Sequence, residues 1–195
     1  GRALRQPGVA RLTITNFAFS FSVAQLETVF ALYMLSRFGY DAFAVAMILF
    51  GMAIVMGGVQ GGAMRRLSAL FGERALIRTG ALALAAAFAA TPLTPNVPWL
   101  LAALALAAGG RAVLQPSLMT LASFRTEAHT RGSTMGTFQS AAALARVFGP
   151  FVAGLAFDMA IGAPFAIATA ASLLVFALAT TLPAPAEVAA EPDVA

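Results

Sequence analysis

The stretch AFAVAMILFGMAIVMGGVQGGAM, residues 42–64, contains no charged side chain and a single amide, Gln60. A helix that crosses a bilayer needs about 20 mostly apolar residues, so this stretch is long enough to span a membrane. It is followed at once by RRLSALFGER, residues 65–74, which carries three arginines. An uncharged run that is closed by a basic segment predicts a transmembrane helix that ends on the cytoplasmic side.

The composition of the whole chain also favours a lipid environment. Of the 195 residues, 60% are hydrophobic and 10% are charged, and the mean hydropathy is +0.85, whereas soluble domains have about 25% charged residues. We therefore predict an all-α membrane protein in which residues 1–182 form one domain of six transmembrane helices. The Pro/Ala/acidic segment 183–195 is predicted to be a disordered cytoplasmic tail. The six spans are expected at about 12–36, 42–64, 75–94, 97–122, 133–157 and 163–182.

The arginines are distributed unequally between the two ends of these spans. Nine of them fall on one side, and only Arg37 falls on the other. Because cytoplasmic loops carry an excess of Lys and Arg, this asymmetry predicts that the N- and C-termini are both cytoplasmic. The nine are Arg2, Arg5, Arg11, Arg65, Arg66, Arg74, Arg78, Arg125 and Arg131.

The residue inventory argues against several classes of function. The chain has no cysteine and one histidine, His129, so we predict neither a metal site nor a cofactor. Its arginines lie between apolar runs and not on a face with stacking aromatics, which argues against nucleic-acid binding. It shows no nucleophile–base pair and no GxxxxGK(S/T) pattern, so we do not expect an enzyme or an ATP-driven pump. Since the first residue is Gly, we expect a piece of a longer protein or a processed product.

Three ionisable residues, Glu27, Arg111 and Arg146, lie near the middle of their predicted helices. A charge at the bilayer midplane is unfavourable unless it is paired or hydrated. Two interpretations therefore stay open. The three residues line a water-filled path or a ligand site, or Glu27 pairs with one arginine and only fastens helices together.

Polar neighbours extend each of these charges into a stripe along its helix. In the first helix, Thr13, Asn16 and Ser20 share a face with Glu27. The fourth and fifth helices each place a glutamine one or two turns from the arginine. Because such stripes are unfavourable in lipid, we expect them to face one another or a missing partner, as a pathway for substrate and protons. The predicted pathway residues are Asn16, Ser20, Glu27, Arg111, Gln115, Gln139 and Arg146.

Three short motifs occur between residues 16 and 80, namely Glu27-Thr28-Val29-Phe30, Phe38-Gly39-Tyr40 and Gln60-Gly61-Gly62. A basic block follows the last of them. Together they resemble the start of the C-terminal half of a major facilitator superfamily transporter. The basic block is similar to the cytoplasmic loop signature of that superfamily. The matching positions are Gly61, Gly62, Arg66, Gly72 and Arg74.

The segment RGSTMGTFQSAAALARVFGPFVAGLAFD, residues 131–158, is similar to the fifth helix of that half. Its Gly149-Pro150 pair resembles the Gly-Pro kink motif of antiporters, so the resemblance implies a helix bend there. Within the superfamily, the likeness is to the proton-coupled drug and tetracycline efflux branch. Arg65 departs from the pattern, because relatives often carry a small residue at that position.

The resemblance implies secondary active transport, with proton-coupled efflux of a small amphipathic compound across a bacterial inner (cytoplasmic) membrane. Glu27 would carry the proton or contact a cation, and Arg111 and Arg146 would orient anionic groups or bind acidic residues of another half. Family members have two six-helix halves, so the implied partners are membrane lipid, substrate, protons and an N-terminal half in the same polypeptide or a separate chain. The alternative is a non-transporting membrane subunit or assembly factor derived from a truncated transporter.

Overall fold

The computed structural model describes residues 7–124 and 131–182, which are helical apart from short turns. The predicted tail at 183–195 lies outside the described residues, as do Arg2, Arg5, Arg125 and His129. The described elements are α1 (Pro7–Phe38), α2 (Ala42–Gly58), a π-helical turn (Val59–Ala63), α3 (Met64–Ala90), a 3₁₀ turn (Thr91–Leu93), α4 (Val97–Phe124), α5 (Arg131–Met159) and α6 (Ala163–Thr180).

A tight turn at residues 39–41 joins α1 to α2. Gly39 has φ 69°, a left-handed conformation that favours glycine, and its N–H donates to the Leu35 carbonyl at 3.0 Å. Asp41 then caps α2, because its carboxylate accepts a hydrogen bond from the Ala44 N–H at 2.9 Å. The chain therefore reverses its direction within three residues.

The boundary between α2 and α3 differs from the prediction. The sequence predicts a loop at 65–74, but the helix continues through the π-helical turn and past Arg66. The interruption lies at Gly72, which has φ 72° and ψ 158°, a conformation that glycine adopts without steric strain. Most residues at 63–71 are good helix formers, such as Ala, Met, Arg and Leu, so the helix does not end before Gly72.

By length and composition, five helical segments of the described chain can cross a membrane, against the six that the sequence predicts. The difference arises because Ala42–Leu93 is one continuous helical segment of 52 residues. A straight helix of that length would be about 78 Å long, whereas the hydrocarbon core of a bilayer is about 30 Å thick. The kink at Gly72 divides the segment into two parts, 42–71 and 73–93.

The bundle is held together chiefly by α1 and α3. α3 packs along α4 and α6, and α1 packs along α5 and α6. The α3–α4 crossing is close, because a Cβ added to Gly80 would lie 2.7 Å from the Gly110 carbonyl oxygen, and one added to Gly110 would lie 2.8 Å from the Gly80 carbonyl oxygen. Small residues of this kind let membrane helices approach each other.

α2 and one face of α5 are exposed. On α2, Phe43 and Phe50 are 74% and 61% exposed, and on α5 Phe151 is 67% exposed. Apolar surface of this extent fits contact with lipid or with a further protein surface. Four glycines of α2 and the π-helical turn have no described neighbour within 4 Å of an added Cβ, so they make no close helix contact with the described residues. They are Gly57, Gly58, Gly61 and Gly62.

Candidate functional site

The charged residues in the middle of α1 and α4 meet in an ion pair, in which Arg111 Nη1 donates to Glu27 Oε1 at 2.5 Å. Glu27 lies eleven residues before the end of α1 and Arg111 fourteen residues after the start of α4, or about 17 and 21 Å along the two axes. The side chains of Glu27 and Arg111 are 52% and 28% exposed, respectively. The pair therefore joins two helices at mid-depth and remains open on one side. This arrangement agrees with both interpretations, because Glu27 can line an open path and can also fasten α1 to α4.

Arg111 retains hydrogen-bonding capacity beyond this ion pair. A guanidinium group has five N–H donors, and the Nε of Arg111 is buried without a hydrogen-bond partner among the described residues. Gln115, one turn further along α4, is half-buried. A buried N–H that lacks an acceptor is unfavourable, so this position favours an additional acceptor such as a carboxylate or a carbonyl oxygen.

Arg146 and Gln139 lie on the exposed face of α5. Arg146 forms no ion pair with the described residues. Gln139 Nε2 lies 3.6 Å from the Met119 sulfur and so links α5 to α4. The structure therefore does not bring Arg146 into the Glu27–Arg111 pair.

The polar stripe of α1 is divided into a buried part and an exposed part. Asn16 is 6% exposed, and its amide donates to the Phe138 carbonyl of α5 at 2.9 Å. Ser20 is 8% exposed, whereas Glu27 is open. In this conformation Asn16 and Ser20 lie inside the helix packing and do not share an open surface with Glu27.

α5 packs directly on α1 at Gly149. A Cβ added to Gly149 would lie 2.5 Å from the Ala24 Cβ, and Gln25 Nε2 donates to the Gly149 carbonyl at 3.3 Å. α5 continues as a helix through Pro150, whose side chain is exposed. Gly149, for which the resemblance implies a bend, provides the close contact between these two helices, and the bend stays a prediction.

The sequence-based search missed buried polar groups on α1. Gln25 is fully buried, and its Oε1 has no hydrogen-bond partner among the described residues. The Ser22 and Ser172 hydroxyl oxygens are 2.6 Å apart and link α1 to α6, and the Ser22 hydroxyl also donates to the Ala168 carbonyl at 2.8 Å. Ser22 and Gln25 interrupt an apolar run, but a search for polar residues that share a helix face with an ionisable residue omits them, because they lie about 140° and 200° away from Glu27 around the α1 axis.

Two arginines cap the C-terminal end of α6. Arg74 Nε donates to the Ala179 carbonyl at 3.4 Å, and its Nη2 donates to the Thr180 carbonyl. Arg11 Nη1 donates to the Thr181 carbonyl at 3.5 Å. The last carbonyls of a helix have no partner within the helix and carry partial negative charge. Arg74 is one of the residues that match the loop signature, and its guanidinium is therefore hydrogen-bonded to the end of α6 of the same chain.

The other signature residues lie elsewhere. Gly61, Gly62 and Arg66, together with Arg65, line an open cleft of about 350 Å³ beside the π-helical turn. Gly72 forms the kink, and next to it the Ser68 hydroxyl donates to Glu73 Oε1 at 2.6 Å. The signature therefore divides into a surface cleft, a kink and a helix cap.

The described residues contain no group of three or more His, Cys, Asp or Glu side chains that could hold a metal ion. The chemistry available around Glu27 and Arg111 is that of a carboxylate, a guanidinium and nearby amides. Such groups bind protons, form ion pairs and donate hydrogen bonds.

The sequence profile of the Major Facilitator Superfamily matches residues 12–194. Multidrug resistance protein 1 of Bacillus subtilis (strain 168) is 30% identical over 172 residues, which are 88% of this chain and 44% of that protein. Major facilitator superfamily domain-containing protein 10 of Mus musculus is 30% identical over 189 residues, which are 96% of this chain and 41% of that protein.

Solved structures show the same relationship. The crystal structure of the human organic anion transporter MFSD10 (TETRAN) superimposes with a TM-score of 0.82 at 28% identity, over 88% of this chain and 40% of that one. A peptide transporter, POT, crystallised with alafosfalin, matches with a TM-score of 0.77 at 22% identity, a likeness of fold alone. The chain thus spans less than half the length of the relatives that it matches.

Proposed function

We propose that this chain, which belongs to the major facilitator superfamily, forms the C-terminal six-helix half of a secondary active transporter that exports a small amphipathic compound in exchange for protons. The superfamily comprises membrane transporters, and the chain is an integral membrane protein with long apolar helices. The half-transporter assignment is supported by the match of most of this chain to less than half of its relatives. The N-terminal half would be supplied by the same polypeptide or by a separate chain.

In this proposal the segment Ala42–Leu93 crosses the membrane twice, with its turn at Gly72. Six crossings put both termini on the same side, which we propose to be the cytoplasmic side of a bacterial inner membrane. The positive-inside distribution of the arginines supports this orientation.

The observation that carries the proposal is the open ion pair between Glu27 and Arg111 at mid-depth. Without its proton, Glu27 accepts a hydrogen bond from a donor group of the substrate, while Arg111 donates to an acceptor group of the substrate. Proton binding removes the charge of Glu27 that attracts the donor group, so the substrate is released. Competition between proton and substrate for one carboxylate would thereby exchange protons for substrate.

The substrate class follows from the same residue. Arg111 has a buried N–H without an acceptor, and Arg146 on α5 forms no ion pair with the described residues. These two groups favour a compound with an anionic or strongly hydrogen-bonding head. The names of two relatives, a multidrug resistance protein and an organic anion transporter, support an efflux function with a role in drug resistance.

The experiment is the Glu27→Gln substitution in the complete protein, reconstituted in proteoliposomes with an imposed pH gradient. We expect pH-driven export to be lost, because glutamine keeps the shape of the side chain but cannot carry the proton. Asp158→Asn is the matched control, since Asp158 is an exposed carboxylate near the end of α5 and should leave transport unchanged. Undiminished pH-driven export by Glu27→Gln would remove Glu27 from coupling.

The alternative function, a non-transporting membrane subunit or assembly factor, is favoured by the exposed apolar surface of α2 and α5, which suits docking to another protein. The genomic sequence upstream of the codon for Gly1 separates the two functions. Six further apolar spans there would support the transporter. A nearby start codon would support a subunit or a homodimeric half-transporter.

A further inference from the structure

Four arginines form a basic surface around the end of α6. Arg11 and Arg74 donate hydrogen bonds to the last carbonyls of this helix, and Arg65 and Arg66 are exposed in the cleft beside the π-helical turn. Neither Arg65 nor Arg66 forms an ion pair with the described residues. Among these residues, the acidic side chain at this end of the bundle is Glu73, which accepts a hydrogen bond within α3. The basic surface therefore has positive charge that the described residues do not balance.

The chain that follows α6 carries the opposite charge. Residues 183–195, PAPAEVAAEPDVA, contain three carboxylates, Glu187, Glu191 and Asp193, and no basic side chain. The segment begins three residues after Thr180, whose carbonyl accepts a hydrogen bond from Arg74. Its three prolines restrict the backbone, because each fixes φ near −65°. The segment thus starts at the basic surface, is complementary to it in charge, and loses less conformational entropy on binding than a proline-free segment would.

The segment is also long enough to reach the cleft. Eight residues, or about 12 Å of kinked helix, separate Arg66 from Arg74, which touches the end of α6. An extended chain spans at most about 3.5 Å per residue. Glu187, five residues after Leu182, can therefore lie up to about 17 Å from it, and Asp193 up to about 38 Å. These lengths place the cleft within reach of the carboxylates.

We propose that residues 183–195 bind the basic surface, with their carboxylates on Arg65 and Arg66, and so link the boundary between α2 and α3 to the end of α6. Carboxylates and guanidinium groups form charge-assisted hydrogen bonds that are often bidentate. A short tether gives the segment an effective concentration in the millimolar range, which favours it over free anions. The contact uses neither Glu27 nor Arg111, so it does not depend on the proposed transport function.

The test measures the distance between two spin labels in the complete protein, in nanodiscs of phosphatidylcholine, with any cysteine outside residues 1–195 replaced by serine. One label is attached at Ala69→Cys, which is exposed and lies one turn after Arg65 and Arg66. The other is attached at Ala190→Cys, next to Glu191. Phosphatidylcholine has no net charge, so its headgroups do not replace the carboxylates. We expect double electron–electron resonance to show a narrow population of short distances.

Neutralising either partner should release the segment. One variant combines Glu187→Gln, Glu191→Gln and Asp193→Asn, and the other combines Arg65→Gln and Arg66→Gln. Each should lower the ratio of short to long distances at least about threefold, because several exposed ion pairs are lost. Salt at 1 M should have the same effect, since the Debye length falls to about 3 Å.

Two further variants make the test specific. Arg37→Gln removes an exposed arginine at the opposite end of α1 from Arg11 and should leave the ratio unchanged. In a charge swap, Arg65→Glu with Arg66→Glu should abolish the short distances, and adding Glu187→Arg with Glu191→Arg should restore them.

Short distances that are absent from the wild type, or that persist in the variant with Arg65→Gln and Arg66→Gln, would overturn the proposal. If that variant keeps the short distances but no longer retains spin-labelled phosphatidylglycerol, the cleft binds anionic lipid headgroups and not the segment 183–195.

Discussion

At the scale of single residues, the contact between Gly149 and Ala24 shows how one missing methyl group sets the distance between two helices. The two positions are far apart in the sequence, and a Cβ on Gly149 would overlap the Ala24 Cβ. The sequence marks Gly149 through its Gly-Pro pair, but it does not identify the partner. That information exists only in the packing of α5 on α1.

We predict that Gly149→Ala destabilises the complete protein by about 1–3 kcal/mol, because overpacking at a close contact forces a shift of side chains or backbone. The measurement is thermal unfolding of the purified protein in detergent. Gly154→Ala is the matched control, since Gly154 lies on the same helix and has no described neighbour within 4 Å of an added Cβ.

The double variant Ala24→Gly, Gly149→Ala tests the same contact from the opposite side. Removing the methyl group of Ala24 makes room for the one added at position 149, so the double variant should recover most of the lost stability. Equal unfolding temperatures for Gly149→Ala and Gly154→Ala would show that the overlap is relieved without cost.

Some residues of the site can be predicted from the sequence and others cannot. Glu27 and Arg111 were identified because a charge inside an apolar span is rare and unfavourable. Their pairing was one of two open interpretations, since the sequence does not tell which face of α4 meets α1. Gln25 does not share a face with Glu27, since two residues correspond to about 200° around a helix, and the sequence therefore gives no signal for its buried Oε1, which has no described partner.

At the scale of elements, helix ends were harder to predict than helix positions. The apolar runs indicate the approximate position of each helix, whereas the charge of the basic segment 65–74 predicts a loop, which is wrong. Charge does not end a helix, and the arginines at 65 and 66 are helical. The chain bends at Gly72, because φ and ψ of this residue lie outside the helical region.

The capping of α6 by Arg74 gives a prediction at this scale. Arg74→Gln should leave the fold intact but loosen the last turn of α6, because the Ala179 and Thr180 carbonyls lose their cationic donor. Amide hydrogen exchange measured by mass spectrometry should become faster in the peptide that contains the end of α6. Arg66→Gln is the control, since Arg66 is exposed in the cleft. Equal exchange in both variants would contradict the cap.

At the scale of the whole molecule, the number of membrane crossings is the feature to be measured. The sequence predicts six, whereas length and composition identify five helical segments, one of them 52 residues long. Composition indicates a membrane protein, and the short motifs carry its family resemblance. Neither could decide whether a helical segment without an apparent loop crosses once or twice.

Single cysteines decide this question, because residues 1–195 contain none. We predict that Arg37→Cys and Pro95→Cys react with an impermeant maleimide from the same side of the membrane, and Arg66→Cys from the other side. This pattern follows if the segment between 42 and 93 crosses twice. Labelling of positions 37 and 95 from opposite sides would mean that it crosses once.

Arg146 has a consequence for the energetics of the assembled protein. The Glu27–Arg111 pair is electrically neutral, whereas Arg146 forms no ion pair with the described residues and lies in the middle of α5. A membrane potential does work of about 2.3 kcal/mol per 100 mV on each elementary charge that crosses the whole field. Any rocking of the bundle that moves Arg146 through part of that field would therefore couple the conformational equilibrium to voltage as well as to pH.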